Sequence, residues 1–227
     1  MACGVMSAVF CLEPAPAPAS WHVPSFMKSG TTVEAESCTG IAMASMLLTS
    51  PSFSMAFMYG TLKQGFSNHW LMENVIGEGH AHVIGVAKTK HRHPLVCGPF
   101  QVPFLLHMPN SGHQVKGEVY ALDQLAVELL DNLERVSKGH CMRRPLVLTG
   151  LRSLEVDCAP SSEVLSEAYF AHLALQLGLS RAPHLEAYTK KETVNYVYRE
   201  DRPKDRTFLE HVNHLIECHG LVPSTYE

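Results

Sequence analysis

Two stretches of this chain have residue types and spacing that could do chemistry. The first is Glu134, which stands in the last turn of a helix expected to begin near Asp123. A helix C-terminus carries partial negative charge, so a carboxylate there works against the dipole. Glu134 also follows Leu130 by four residues, on the border of the helix's apolar stripe. Both features disfavour the ionised form and raise its pKa. A carboxylate of raised pKa suits proton transfer near neutral pH. The same position equally suits a surface glutamate beside Arg135, its stem laid over apolar neighbours. Position alone leaves both readings open.

The second stretch is Tyr59-Gly60-Thr61-Leu62-Lys63, followed by Gly65 and Asn68-His69. The apolar run Met55 to Met58 fits a buried strand, and the glycines break it. Asn68 is placed to cap a short helix through Trp70, Leu71 and Met72. A strand, a glycine-bearing loop and a helix start leave backbone N–H groups unpaired. Such groups bind anions or carbonyl oxygens. The spacing matches neither a P-loop nor GxGxxG. An ordinary turn between strand and helix would read the same way.

These residues resemble the YGTLKxGxxNH signature of the gamma-glutamylcyclotransferase superfamily, nearest to its branch acting on γ-glutamyl amines. Val102-Pro103-Phe104-Leu105-Leu106-His107, Gly117-Glu118-Val119-Tyr120-Ala121-Leu122-Asp123 and Leu130-Asp131-Asn132-Leu133-Glu134 follow the family's segments in order. The likeness extends over about residues 53–150 and, more faintly, a strand near 194–198. It implies an α+β fold, a small mixed β-barrel with packed helices. It also implies that Glu134 is the catalytic proton acceptor and that Tyr59, Gly60, Thr61 and Leu62 bind substrate. The implied reaction is intramolecular aminolysis of a γ-glutamyl amide, such as ε-(γ-glutamyl)lysine, to 5-oxoproline and free amine. It needs no metal or cofactor, because nucleophile and electrophile share one molecule. A cyclotransferase for γ-glutamyl amino acids or glutathione, or a catalytically silent binding module, are the alternatives. One departure bears on specificity. The amine-specific type tends to have a tyrosine shortly after the glutamate, whereas Lys138-Gly139-His140-Cys141-Met142-Arg143-Arg144 has none.

Other constellations favour structural roles. His211, His214 and Cys218 share one side of the last helix, but no fourth zinc ligand has suitable spacing. His80-x-His82 and His91-x-His93 fit solvated turns. Cys97 fits a buried small hydrophobe better than a nucleophile. Glu118 and Tyr120 alternate onto the face opposite Val119 and Ala121, where they could line a pocket.

Several elements must hold these groups in place. His82 to Thr89 and Leu95 to Cys97 read as strands. Pro103 to Met108 and Val115 to Leu122 read as a hairpin turned at Pro109-Asn110-Ser111-Gly112. Asp123 caps a helix whose stripe is Leu122, Leu125, Leu129, Leu133 and Val136, with Gly139 as its stop. Arg144 to Leu151 reads as a strand. Ser162 is expected to cap a helix from about Glu163 to Leu177, part of a helical insertion over about 152–190. Val194 to Tyr198 reads as a strand, Arg199 to Arg206 as a charged, proline-containing linker, and 201–227 as the unit of linker and C-terminal helix. That helix opens on the capping box Thr207 to Glu210 and presents Phe208, Val212, Leu215 and Ile216.

The chain has 227 residues, a net charge of −4 and 18% charged residues. That leaves no nucleic-acid footprint, and no apolar run long enough for a membrane helix. Seven scattered cysteines without CxxC favour reduced thiols and a cytoplasmic setting. Residues 1–52, with Pro14-Ala15-Pro16-Ala17-Pro18, read as a disordered extension. Organelle targeting by them is the alternative, but they lack a basic n-region and arginines. The expected partner is a small γ-glutamyl compound; oligomeric state is not legible.

Overall fold

The computed structural model describes residues 52–153 and 163–218. The apolar run after Phe53 forms β1 (Ser54–Met58), and α1 (His69–Gly77) follows the glycine-bearing turn. Then come β2 (Ala81–Thr89), β3 (Leu95–Cys97), β4 (Pro103–Leu105), β5 (Lys116–Leu122) and α2 (Gln124–Leu133). The chain continues with β6 (Cys141–Ser153), β7 (Val164–Ala171), α3 (Leu173–Leu179), α4 (Lys190–Thr193) and α5 (Phe208–Cys218).

Five strands close into a barrel in the order β1-β5-β2-β6-β7. Neighbours are antiparallel except where β1 meets β7, with Ala56 opposite Glu167. The expected α+β barrel is what the chain forms. β3 and β4 make a separate two-stranded sheet, Leu95 opposite Leu105. Helices α1 and α2 pack Met72, Val75, Ala126 and Leu130 against Met58 and Tyr120 of the barrel. Helices α3 and α5 pack Leu175, Leu179, Val212 and Ile216 under Val96 and Phe104 of the small sheet. Full burial of each Met, Val, Leu, Ile or Phe among these stabilises by about 1.5–3 kcal/mol.

Four expectations are corrected. The strands either side of Pro109–Gly112 are not a hairpin. Both edges of β5 are taken inside the barrel, by β1 and β2, so β4 pairs with β3. The turn instead folds onto His93, which bridges to His113. Gly112, at φ +71°, sits so close that a Cβ would lie 2.6 Å from the His93 carbonyl oxygen.

The expected helix from Glu163 to Leu177 is mostly the strand β7. Its helix-forming Leu, Glu and Ala residues are overridden by pairing with β6 along eight residues and with β1. A barrel wall therefore occupies the supposed insertion, and the helix there starts only at Leu173. The expected cap Ser162 lies outside the described residues, as do residues 1–51. Val194 to Tyr198 is no strand either. A helical turn capped by Thr189 and Glu192 precedes it, and Val194 is 78% exposed.

The last correction concerns α2. Leu125 and Leu129 are 59% and 40% exposed; Ala126, Val127 and Leu130 are buried instead. Asp123 caps as expected, accepting from the Ala126 amide at 2.9 Å while His80 Nδ1 bonds its other oxygen at 2.6 Å. The buried face is rotated by one residue. Ala126, Leu130 and Glu134 then fall at four-residue steps, with Glu134 half-buried at the end of that line, on the border of the apolar face as expected.

Candidate active site

The turn after β1 is fastened on its carbonyl side. Tyr59 is buried, and its hydroxyl donates to the Tyr169 carbonyl at 2.6 Å, tying the turn to β7. The Gly60 carbonyl accepts from the Lys63 amide (3.3 Å) and the Thr61 carbonyl from the Asn68 amide (3.0 Å). The Leu62 carbonyl meets His69 Nδ1 at 2.9 Å. Asn68 occupies the N-cap of α1, but its side chain caps nothing there. Its Nδ2 donates instead to Thr61 Oγ1 (2.9 Å) and the Tyr196 hydroxyl (3.1 Å). The buried Lys63 ammonium donates to the Tyr188 carbonyl at 2.6 Å. Among the described residues, the amides of Gly60, Thr61 and Leu62 have no acceptor. Backbone amides are rarely left so unless a ligand or water takes them. Gly60 is required by contact: a Cβ would lie 2.6 Å from Pro103 Cγ.

Glu134 is the C-cap of α2, its amide bonded to the Leu130 carbonyl at 2.9 Å. Arg135 follows in the left-handed region, φ +53°, and turns the chain toward β6. The end of α2 is held from below. Asp131 accepts from the Tyr169 hydroxyl (2.8 Å) and from Arg143 Nε (3.1 Å), while Arg143 also pairs with Glu167. At the start of β6, the Cys141 thiol donates to Glu134 Oε2 at 3.6 Å. Arg199 donates to the Leu133 carbonyl at 2.9 Å, one residue away.

Loop and carboxylate line one cavity of about 550 Å³. Tyr59, Gly60, Thr61, Leu62 and Glu134 all border it, with Met58, Cys141 and Tyr169 beside them. Burial pushes the Glu134 carboxyl above the usual carboxylate range, opposed by the Cys141 hydrogen bond and by Arg199. Burial, then Cys141 and Glu134, hold the Tyr59 phenol well above its ordinary value, so it stays neutral. The Cys141 thiol is likewise pushed up, by burial and by Glu134. Of these three groups, the carboxyl is the one suited to exchange a proton.

Sequence reasoning missed Tyr169, Tyr196 and Arg199 as cavity residues. Tyr169 lay in a supposed helix, and the other two in a supposed strand and linker. No residue pattern in those segments signals proximity to Glu134; the barrel closure and the return of the C-terminal segment create it. The remaining candidates do other work. Tyr120 is buried and donates to Glu118 Oε2 at 2.7 Å; the same oxygen accepts from the Gln64 amide at 2.9 Å. Neither residue lines the cavity. His93 bonds the Leu106 carbonyl at 3.1 Å. Burial pushes the Cys97 thiol up to about 11, which suits a packed hydrophobe and not a nucleophile. Cys218 lies 3.5 Å from His214, and among the described residues no three His, Cys, Asp or Glu side chains converge as a metal site. His211 does border the cavity, its ring edge-on to Phe100.

Similarities to known proteins bear on this geometry. The family model for gamma-glutamyl cyclotransferase, AIG2-like proteins matches residues 56–206. An Arabidopsis thaliana protein provisionally named a gamma-glutamylcyclotransferase is 43% identical over 175 residues, 73% of this chain and 92% of its own. Gamma-glutamylaminecyclotransferase C of Danio rerio is 32% identical over 152 residues, 66% of this chain and 96% of its own. The crystal structure of an AIG2-like protein from Mus musculus superposes with a TM-score of 0.57 at 29% identity, covering 66% of this chain and 99% of that one. No helix among the described residues is long and apolar enough to cross a membrane.

Proposed function

The chain belongs to the gamma-glutamyl cyclotransferase, AIG2-like family and is a cyclotransferase-type enzyme; from that premise we propose that it converts a γ-glutamyl amide to 5-oxoproline and a free amine, with Glu134 as the proton-transfer group. The observation that carries this reading is a pairing of opposites. A carboxyl of raised pKa and a turn with three unbonded amides border the same cavity.

The steps follow from that pairing. Glu134 takes a proton from the substrate's α-ammonium. The freed amine attacks the γ-carbonyl, closing a five-membered ring. The carbonyl oxygen becomes an oxyanion, and amides of Gly60, Thr61 and Leu62 donate to it or hold the substrate's α-carboxylate. Glu134 returns the proton to the departing nitrogen as the amide bond breaks and then relays the ring nitrogen's second proton to the released amine, which leaves as its ammonium. Every substrate atom is recovered in 5-oxoproline and the amine, and no water is consumed. Because the reacting groups share one molecule, most of the acceleration comes from holding it in a ring-closing conformation.

The test is incubation of the purified protein with ε-(γ-glutamyl)lysine, a γ-glutamyl amino acid and glutathione. Equal release of 5-oxoproline and lysine from the first supports the amine-directed reading. Release only from the others moves the substrate to γ-glutamyl amino acids or glutathione. Thermal stabilisation by these compounds with no product from any would leave a binding module and end the enzymatic reading.

A further inference from the structure

The cavity is charged in one sense. Arg135, Lys138, Arg199, Arg202, Lys204 and Arg206 border it, against one carboxylate among the described residues, Glu134. Some of these cations are committed elsewhere. Arg202 donates to the Val197 carbonyl at 3.1 Å and lies over the rings of Phe100, Tyr196 and Phe208, bracing the C-terminal segment. Lys204 donates to the carbonyls of Arg199 (3.2 Å) and Glu200 (2.8 Å). Arg206 faces Asp205 at 3.8 Å. Arg199 feels Glu134 and Glu200 as well as Arg135.

Arg135 and Lys138 are different. Among the described residues, neither side chain has an ion pair or hydrogen-bond partner. Arg135 holds a left-handed backbone, φ +53°, a conformation that costs an arginine of order 1 kcal/mol and puts it directly after Glu134. Their field is felt within the cavity. The His140 imidazole is held below its usual range by burial, then by Arg135, Arg199 and Lys138.

Depth sorts these groups. Met58, Tyr59, Leu62, Cys141 and Tyr169 are buried, while Lys138 and Arg199 are exposed. A γ-glutamyl head that reaches the Tyr59–Leu62 amides leaves its amide substituent directed outward, past this pair. A cleft lined with one sign of charge raises the local concentration of opposite charge by about 10-fold or more. We propose that Arg135 and Lys138, with Arg199, select γ-glutamyl amides whose leaving amine ends in a carboxylate and reject those ending in an ammonium. The proposal rests on the cyclotransferase reading of the same cavity and adds the charge of the leaving group to it.

Four γ-glutamyl amides of nearly equal length test it: those of 6-aminohexanoate, lysine through its ε-nitrogen, pentylamine and cadaverine. They present a carboxylate, both charges, neither, and an ammonium. We expect kcat/KM for 5-oxoproline release at least about tenfold higher for 6-aminohexanoate than for pentylamine, with cadaverine lowest. That ratio should shrink as sodium chloride is raised, because the pairs are solvent-facing. It should also fall to within about twofold in Arg135→Asn with Lys138→Gln. Asparagine tolerates the left-handed backbone. Equal kcat/KM across the four compounds, or a ratio indifferent to salt, overturns the selectivity while leaving the cyclotransferase standing. No product from any of the four overturns both. The wild-type ratio and its salt dependence decide the matter even if the double variant does not fold.

Discussion

Cys141 Sγ stands 3.6 Å from Glu134 Oε2 and donates to it, across the gap between the end of α2 and the start of β6. The contact ties the carboxylate to the barrel wall. It also opposes the effect of burial on that carboxyl, since a donor favours the ionised form. A thiol is a weak donor, so the opposition is partial and the carboxyl stays raised.

Glu134→Gln keeps the shape of the side chain and removes its proton chemistry. Turnover should fall by at least about 10²-fold with the circular dichroism spectrum unchanged. Stability should move the other way. The folded-state pKa of Glu134 lies above its unfolded value, so the ionised carboxylate costs stability as pH rises through that interval. At neutral pH the variant should melt at or above the wild-type temperature. The gap should close at pH values below the ordinary carboxylate range, where Glu134 is protonated in both states.

The pH profile of kcat/KM follows with its sign. The base must be ionised, so activity is lost as pH falls through the raised pKa, at a pH above that of an ordinary glutamate. Cys141→Ala removes a donor to the ionised form and should move this acid limb to higher pH. Arg199→Gln removes an opposing charge and should move it the same way. Stopped assays across pH on the three proteins check both shifts. An acid limb that stays put in both variants would mean that another group titrates.

Much of this arrangement is legible in the sequence, and the boundary has physical causes. Local rules sufficed where one element decides the outcome. The Asp123 cap, the Thr207–Glu210 capping box and the break at Gly60 are all contacts within a few residues. The site roles of Tyr59 to Leu62 and of Glu134 rest instead on the family resemblance, because position alone leaves them open. Errors arose where distant pairing won. Val164–Ala171 contains good helix formers, but two barrel neighbours claim it as a strand. The strong turn between β4 and β5 predicts their pairing, yet β5 has no free edge. On α2 the more apolar Leu125 and Leu129 predict the buried face, whereas Ala126 and Val127 occupy it. Tyr169, Tyr196 and Arg199 reach the cavity only through these long-range arrangements.

Gly60→Ala tests the loop through its contact with β4. The added Cβ would meet Pro103 Cγ at 2.6 Å, and both the proline ring and the turn are constrained. The turn should shift by a few tenths of an ångström or more. Activity should fall by about 10-fold or more, because misplaced donors lose transition-state charge stabilisation. Pro103→Ala in the same chain removes the opposing atom and should restore part of the activity. Absence of any rescue would locate the damage elsewhere.

Tyr196→Phe tests the hold of the C-terminal segment on the same turn. Its hydroxyl accepts from Asn68 Nδ2 at 3.1 Å, the nitrogen that also bonds Thr61. The hydroxyl also accepts from Arg202 Nη2 at 3.5 Å, and loss of these two hydrogen bonds should cost about 0.5–1.5 kcal/mol of stability each at most. The kinetic effect should fall mainly on KM, by several-fold, with kcat little altered, because the turn is loosened while Glu134 is untouched. A fall in kcat matching that of Glu134→Gln would contradict this division of labour.

The account depends on a small ligand touching both the free amides of the turn and the carboxyl of Glu134. Titration of the ¹⁵N-labelled protein with 5-oxoproline reads this without requiring turnover. The account predicts that the largest amide shifts fall on Gly60, Thr61 and Leu62, with accompanying shifts at Glu134 and Cys141. Shifts that map to another surface, or no binding of the product at all, would contradict it.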